Sequence, residues 1–250
     1  MGEADGAQSV TAALVVIGDE VLSGRTKDKN IGHIAERLTG VGIDLREVRV
    51  VADVEDDIVA AINALRRRFT YVFTTGGIGP THDDITADAV AKAFGVPIDV
   101  DPRARALLLE YIPEKDLNEA RLRMARIPAG ASLVVNEVSK APGFRIENVI
   151  VMAGVPRIMQ AMLEAVLPEL EKGVPMLSET LLADAKEGDI AAPLKEIAAR
   201  FPDVAIGSYP FRDEKGEPNA HLVVRSRDPQ VLAAARDAVA QMLAQRDWAG

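Results

Sequence analysis

Hydrophobic positions along the chain change their period several times, and each change predicts a new element. Residues 12–17 read Ala-Ala-Leu-Val-Val-Ile, an unbroken apolar run of the kind found in a strand covered on both faces. Over 30–41 the apolar positions Ile31, Ile34, Ala35, Leu38 and Val41 recur with a helical period. Residues 43–51 alternate as a strand does, and 54–69 return to helix spacing through Ile58, Ala61, Ile62 and Leu65. A strand over 71–75 and a helix over 85–94, closed by Gly95 and Pro97, follow. Strands and helices alternating across short links predict βαβ units, a mainly parallel sheet and helices on both of its faces.

The pattern then loosens. Helices are expected over 103–111 and 114–124, separated by Pro113, and short strands over 133–135, 144–146 and 149–152. A long amphipathic helix over 155–170 tolerates Pro156 in its first turn. A three-layer α/β/α domain spanning 10–172 is therefore expected, with Gly173-Val174-Pro175 as a linker. The remainder, 176–247, predicts a small α+β domain of order βαββα: strand 178–183, helix 190–201, strands 204–209 and 220–226, helix 230–243. The run 213–218, Asp-Glu-Lys-Gly-Glu-Pro, is the turn between its two middle strands.

Composition narrows the function classes. The 250-residue chain is 48% hydrophobic, enough for a packed core, yet no apolar run reaches the length of roughly 20 residues that a membrane span needs. Residues 1–9 lack the basic and apolar regions of a signal peptide and are expected to be a frayed tail, so a cytoplasmic location is the expectation. The absence of cysteine excludes disulfides, thiolate metal sites and thiol nucleophiles. A formal net charge of −9 argues against nucleic acid as a partner. Of two basic clusters, Arg66-Arg67-Arg68 ends a helix where cations suit the dipole, whereas Arg121, Arg123 and Arg126 could reach a phosphate.

The chemistry concentrates at 74–86, Thr-Thr-Gly-Gly-Ile-Gly-Pro-Thr-His-Asp-Asp-Ile-Thr. Strand, glycine-rich turn and helix start follow in that order, so several backbone N–H groups and a helix N-terminus face one point, a natural seat for phosphate. It is no Walker loop, since no Gly-Lys-Ser/Thr follows, and no dinucleotide fingerprint, since His82 stands where the third glycine belongs. The competing reading is a tight turn with Asp83 or Asp84 capping the helix. If the first three strands are neighbours, Asp19, Asp53, Asp83 and Asp84 converge at one sheet edge, joined by Asp28 and Asn30. Each carboxylate also has an ordinary role open to it: Asp53 as the cap of the 54–69 helix, Asp28 as a turn former, Asp19 and Glu20 as solvated loop residues. Of the three histidines only His82 lies within this loop, where it could contact a phosphate or orient water.

The motifs Gly18-Asp19-Glu20-Val21-Leu22-Ser23-Gly24 with Asp28 and Asn30, the 74–86 stretch, Ala141-Pro142-Gly143-Phe144 and Gly154-Val155-Pro156 resemble those of the molybdopterin-binding superfamily. That superfamily includes MoaB and MogA proteins, the N-terminal domain of CinA and a domain of FAD synthases, and the Gly-Pro-Thr-His-Asp-Asp spelling is most similar to the last two. One departure is Met152-Ala153-Gly154 in place of the usual Leu-Pro-Gly. The resemblance implies that Gly76, Gly77, Gly79, Thr81 and Ser23 bind phosphate and that Asp53 and Asp84 are catalytic. It further implies that Asp19, Asp53, Asp83 and Asp84 hold a divalent ion of Mg or Co type, and that relatives assemble as homo-oligomers. The ligand implied is a phosphorylated pterin such as molybdopterin, or a dinucleotide. The reaction that the resemblance implies is hydrolysis of a pyrophosphate bond in ADP-ribose or FAD, or adenylylation of molybdopterin, unless the protein only binds. The second domain is similar to the small KH-like domain of CinA proteins. With only Gly216 between its middle strands it lacks the Gly-x-x-Gly loop of an RNA binder, so a structural or dimerisation role is expected.

Overall fold

The computed structural model describes residues 9–245, so the expected N-terminal tail and the last two residues of the 176–247 domain lie almost wholly outside the described residues. Contacts divide the chain into two compact units between Gly173 and Val174.

In the first unit the chain runs β1 (Thr11–Ile17), α1 (Asp19–Leu22), α2 (Asn30–Gly40), β2 (Asp44–Val51), α3 (Glu55–Leu65), β3 (Tyr71–Thr75) and α4 (Thr86–Phe94). It continues β4 (Ile98–Val100), α5 (Pro102–Leu109), α6 (Glu119–Leu122), β5 (Arg126–Pro128), β6 (Ser132–Val134), β7 (Gly143–Ile146), β8 (Val149–Met152) and α7 (Pro156–Val166). Among the described residues six of these strands form one sheet in the order β2-β1-β3-β8-β7-β6. β1, β2, β3 and β8 are parallel, while β7 and β6 return antiparallel. β1 pairs on one side with β2 and on the other with β3, so the chain reverses its direction of winding at β1.

Side-chain alternation along β1 explains the three layers. Ala13, Val15 and Ile17 enter one core with α3, α4 and α5 residues such as Ile62, Val90 and Leu108. Ala12, Leu14 and Val16 enter the other with Ile34 and Leu38 of α2 and Met159 and Leu163 of α7. A strand buried on both faces has no polar positions to show, which is why 12–17 reads as a continuous apolar run.

Two local expectations are corrected and one further ladder is added. The single helix expected over 114–124 is broken: a 3₁₀ turn spans Glu114–Asp116 and α6 starts afresh after Asn118, whose side chain accepts from the Arg121 amide. Asn118 thus acts as a helix N-cap inside a pattern that reads as continuous. Gly18-Asp19-Glu20 is not open loop but opens the short helix α1. The ladder of β4 with β5, three residue pairs long, is too short to show a period.

The second unit comprises β9 (Leu177–Leu182), α8 (Glu187–Arg200), β10 (Ala205–Arg212), β11 (Pro218–Ser226) and α9 (Pro229–Gln245). Its strands form an antiparallel sheet of order β10-β11-β9. Ile190 and Ile197 of α8 and Leu232, Ala235 and Val239 of α9 pack with Leu222 and Val224 of β11, so one core serves both helices.

Candidate functional site

The carboxyl ends of β1 and β3 diverge at the point of reversed winding, where open α/β sheets place their ligands. Gly76 and Gly77 continue β3 into the turn with φ of 103° and 66°. A Cβ on Gly76 would stand 2.1 Å from the Ile17 carbonyl oxygen, and one on Gly77 2.2 Å from Thr86 Oγ1, so both positions demand glycine. Thr86, fully buried, closes the turn onto α4: its hydroxyl donates to the Gly76 carbonyl at 2.9 Å and its amide to the Gly77 carbonyl at 2.9 Å. These bonds consume carbonyls and leave amides. Among the described residues the N–H groups of Gly77, Ile78 and Gly79 donate to no protein acceptor.

The turn walls a cavity of about 590 Å³, within the usual range for small-molecule sites. Gly76, Gly77, Gly79, Asp84 and Glu20 line it, with apolar walls from Ile78, Ile112, Met124 and Met162. Of the residues singled out by sequence, Gly76, Gly77, Gly79 and Asp84 therefore meet in one place. Asp19, Asp53, Asp83, Thr81 and Ser23 stand outside these walls, Ser23 being exposed after α1. Glu20, read in the sequence as a solvated loop residue, lines the cavity too, whereas Ile112 and Met124 carry no motif that singles them out and only the folding of the 110–125 region against the turn brings them here.

Neither proposed helix cap exists. The N-cap position of α4 is Ile85, without a side-chain bond. Asp84 instead turns back, its Oδ2 accepting from the Thr81 amide at 2.8 Å and the Thr81 hydroxyl at 2.5 Å. The N-cap of α3 is Val54, and Asp53 reaches across to the start of α1, its Oδ2 accepting from the Asp19 amide at 2.9 Å while its own amide donates to Asp19 Oδ1 at 3.4 Å. Burial, together with the neighbouring Asp19, Glu20 and Asp83 carboxylates, pushes the Asp53 carboxyl above its ordinary value despite the stabilising Asp19 amide. Asp28 does serve as a turn former, taking the Asn30 and Ile31 amides at 3.0 and 2.8 Å at the start of α2.

The basic clusters separate in the same way. Arg66 lies over the Phe94 ring at 4.1 Å and Arg68 pairs with Glu47, ordinary framework roles. Arg123 donates to the Asp84 carbonyl at 3.1 Å, bracing the glycine turn, and Arg126 pairs with Asp88 of α4. His82 is almost wholly exposed beside Asp83, and His221 stacks on Phe211 in the second unit.

For a divalent ion the test is whether ligands converge. Among the described residues no three acidic or imidazole groups come together as a ready-made metal cage. Asp19 and Asp53 face one another while Asp84 is tied to Thr81, so the four carboxylates expected as one set divide into two. Their oxygen chemistry fits a hard cation that brings further ligands with it, as Mg²⁺ does when it arrives on phosphate.

Residues 13–172 match the family described as "Probable molybdopterin binding domain". The chain belongs to that family. Residues 175–249 match the family described as "FAD synthase, middle domain". A Pyrobaculum calidifontis protein is 34% identical over 246 residues, covering 93% of this chain and 94% of its own. An Archaeoglobus fulgidus protein is 32% identical over 198 residues, with 79% and 84% covered. Among solved structures, the CinA protein of Thermoplasma acidophilum, described as of unknown function, is 34% identical with a TM-score of 0.61. The similarity spans 64% of this chain and 98% of that one. The molybdopterin-binding family and its CinA-like branch thus account for the first unit, and the three-layer sheet described above is their fold.

Proposed function

We propose that the first unit binds a phosphorylated pterin or dinucleotide at the glycine turn and hydrolyses a pyrophosphate bond of the ADP-ribose or FAD type. The observation that carries this reading is the row of free amides at Gly77, Ile78 and Gly79 on a cavity wall, with an acidic group across the same sheet edge. Amides left without acceptors are ready to receive phosphate oxygens. The apolar walls suit a flat ring, and Thr81 and Asp84 hold the turn in shape.

Asp53 and Asp19, which face one another, would hold a Mg- or Co-type ion together with substrate oxygens. When bound, such an ion offsets phosphate charge and acidifies a coordinated water. Asp53 carries the other part of the chemistry. Paired with Asp19 at the sheet edge, it takes the proton of the attacking water. The water oxygen bonds to one phosphorus, the bond from that phosphorus to the bridging oxygen breaks, and two phosphate monoesters leave. The amides of the glycine turn receive the negative charge that builds on the phosphoryl oxygens.

The test is AMP release from ADP-ribose or FAD with Mg²⁺ or Co²⁺. Asp53→Ala is expected to remove turnover while holding affinity within about tenfold, or ~1.4 kcal/mol, whereas Asp84→Ala, which releases Thr81 from the turn, should lower turnover and affinity together. Folded protein that releases no AMP with any ion ends the hydrolytic reading. Membership of a molybdopterin-binding family supports a second one, in which the cavity binds or adenylylates molybdopterin. That alternative expects stabilisation by a pterin phosphate and none by FAD.

A further inference from the structure

A second cavity of about 220 Å³ adjoins the first, and the two share Glu20, Thr26, Gly154 and Pro156 as walls, so they are lobes of one depression. This lobe lies between the ends of β1 and β3, with Ile17 on one side and Thr75 on the other. Two of its wall residues hold buried polar atoms with no partner: Asn30 Oδ1 and Thr75 Oγ1, on residues only 4% and 1% exposed. The Asn30 amide cannot simply flip to relieve this. Its Nδ2 donates to the Gly154 carbonyl at 2.8 Å, which fixes Oδ1 as the unpaired end. An acceptor fixed in this way needs a donor, and a buried polar atom without one is unfavourable. Phosphate and carboxylate oxygens only accept, so they cannot supply the donor that Asn30 Oδ1 lacks.

We infer that the 220 Å³ lobe receives the hydroxyl- or ring N–H-bearing end of the ligand, with Asn30 Oδ1 and Thr75 Oγ1 as its specificity-determining contacts. The phosphates then lie towards the glycine turn and the donor-bearing end towards α2. Lys27 and Lys29 of the same lobe are exposed, and among the described residues neither is ion-paired, so a cationic rim stands at its mouth. The inference rests on the glycine-turn reading and adds a direction to it. The donor has two plausible sources, ribose hydroxyls or a pterin ring N–H.

Calorimetric titration of the full chain with ADP-ribose, a pterin carrying a phosphorylated side chain, and inorganic pyrophosphate tests the inference. Thr75→Val keeps the side chain's shape and removes only the hydroxyl, so the ligand-free protein should melt no lower than wild type. It is expected to weaken ADP-ribose or the pterin about five- to thirty-fold and to leave pyrophosphate unchanged. Whichever organic ligand loses affinity names the source of the donor. Thr75→Ser, which retains the hydroxyl, should restore binding. Thr74→Val is the control: Thr74 is also buried with an unpaired hydroxyl, but it is the neighbouring position on β3 and lines neither lobe. Unchanged binding of both organic ligands by Thr75→Val overturns the inference alone, as does wild type that binds pyrophosphate only. Wild type that binds none of the three overturns the glycine-turn reading and takes this inference with it.

Discussion

Asp53 carries the conflict between stability and function in its own charge. Its carboxyl is raised by burial and by Asp19, Glu20 and Asp83, so at neutral pH the ionised form is less favourable in the folded chain than in the unfolded one. A raised carboxylate pKa means that the folded state binds the extra proton. The destabilisation is therefore present above the folded pKa and relieved as pH falls through it. Asp53→Asn keeps an oxygen for the Asp19 amide and removes the charge. It is expected to raise ligand-free stability at pH 7, as an upward shift in Tm that shrinks on acidification, while AMP release is lost. The opposite outcome is expected at Gly76, where alanine meets the Ile17 carbonyl. Gly76→Ala should cost about 3 kcal/mol or more in urea unfolding. Sequence was informative here in a particular way. The glycines and acidic residues were visible because their types are unusual beside an apolar strand. Their bonds were not: Asp53 and Asp84 stand where caps usually stand, and only the fold shows them reaching elsewhere.

At the scale of elements, the turn between β3 and α4 depends on one buried threonine. Thr86→Val keeps the bulk but leaves the Gly76 carbonyl without its donor, and it should cost about 1–3 kcal/mol. It should also weaken pyrophosphate, since the free amides owe their direction to that closure, and titration of the variant checks this. The bidentate pair between Arg37 of α2 and Glu164 of α7 is longer-range but half-exposed, with side chains 43% and 50% accessible. Arg37→Met should shift stability by no more than about 1 kcal/mol, an effect that fades in high salt. Elements with a sustained period were legible: β1 through its unbroken apolar run, α2 and α3 through their buried stripes. The 114–124 region was not, because a capping Asn118 divides one apolar pattern into two short turns.

At the scale of the molecule, each unit holds its own core. Fragments 1–173 and 174–250 are accordingly expected to melt cooperatively by circular dichroism, and only the first should bind pyrophosphate or ADP-ribose. Alternation of strands and helices was enough to predict parallel layers, but nothing in a one-dimensional pattern states that β1 lies between β2 and β3. That order, and the antiparallel return of β7 and β6, are settled by which hydrophobic faces can be covered together. The cavity walls have a practical consequence. Met124 and Met162 line the large cavity, whereas Met176, half-buried, belongs to the other unit. Peroxide converts accessible thioethers to sulfoxides, so the ratio of sulfoxide at Met124 to that at Met176, read by peptide mass, becomes an occupancy gauge. It would fall for any molecule that fills the cavity, whatever its chemistry.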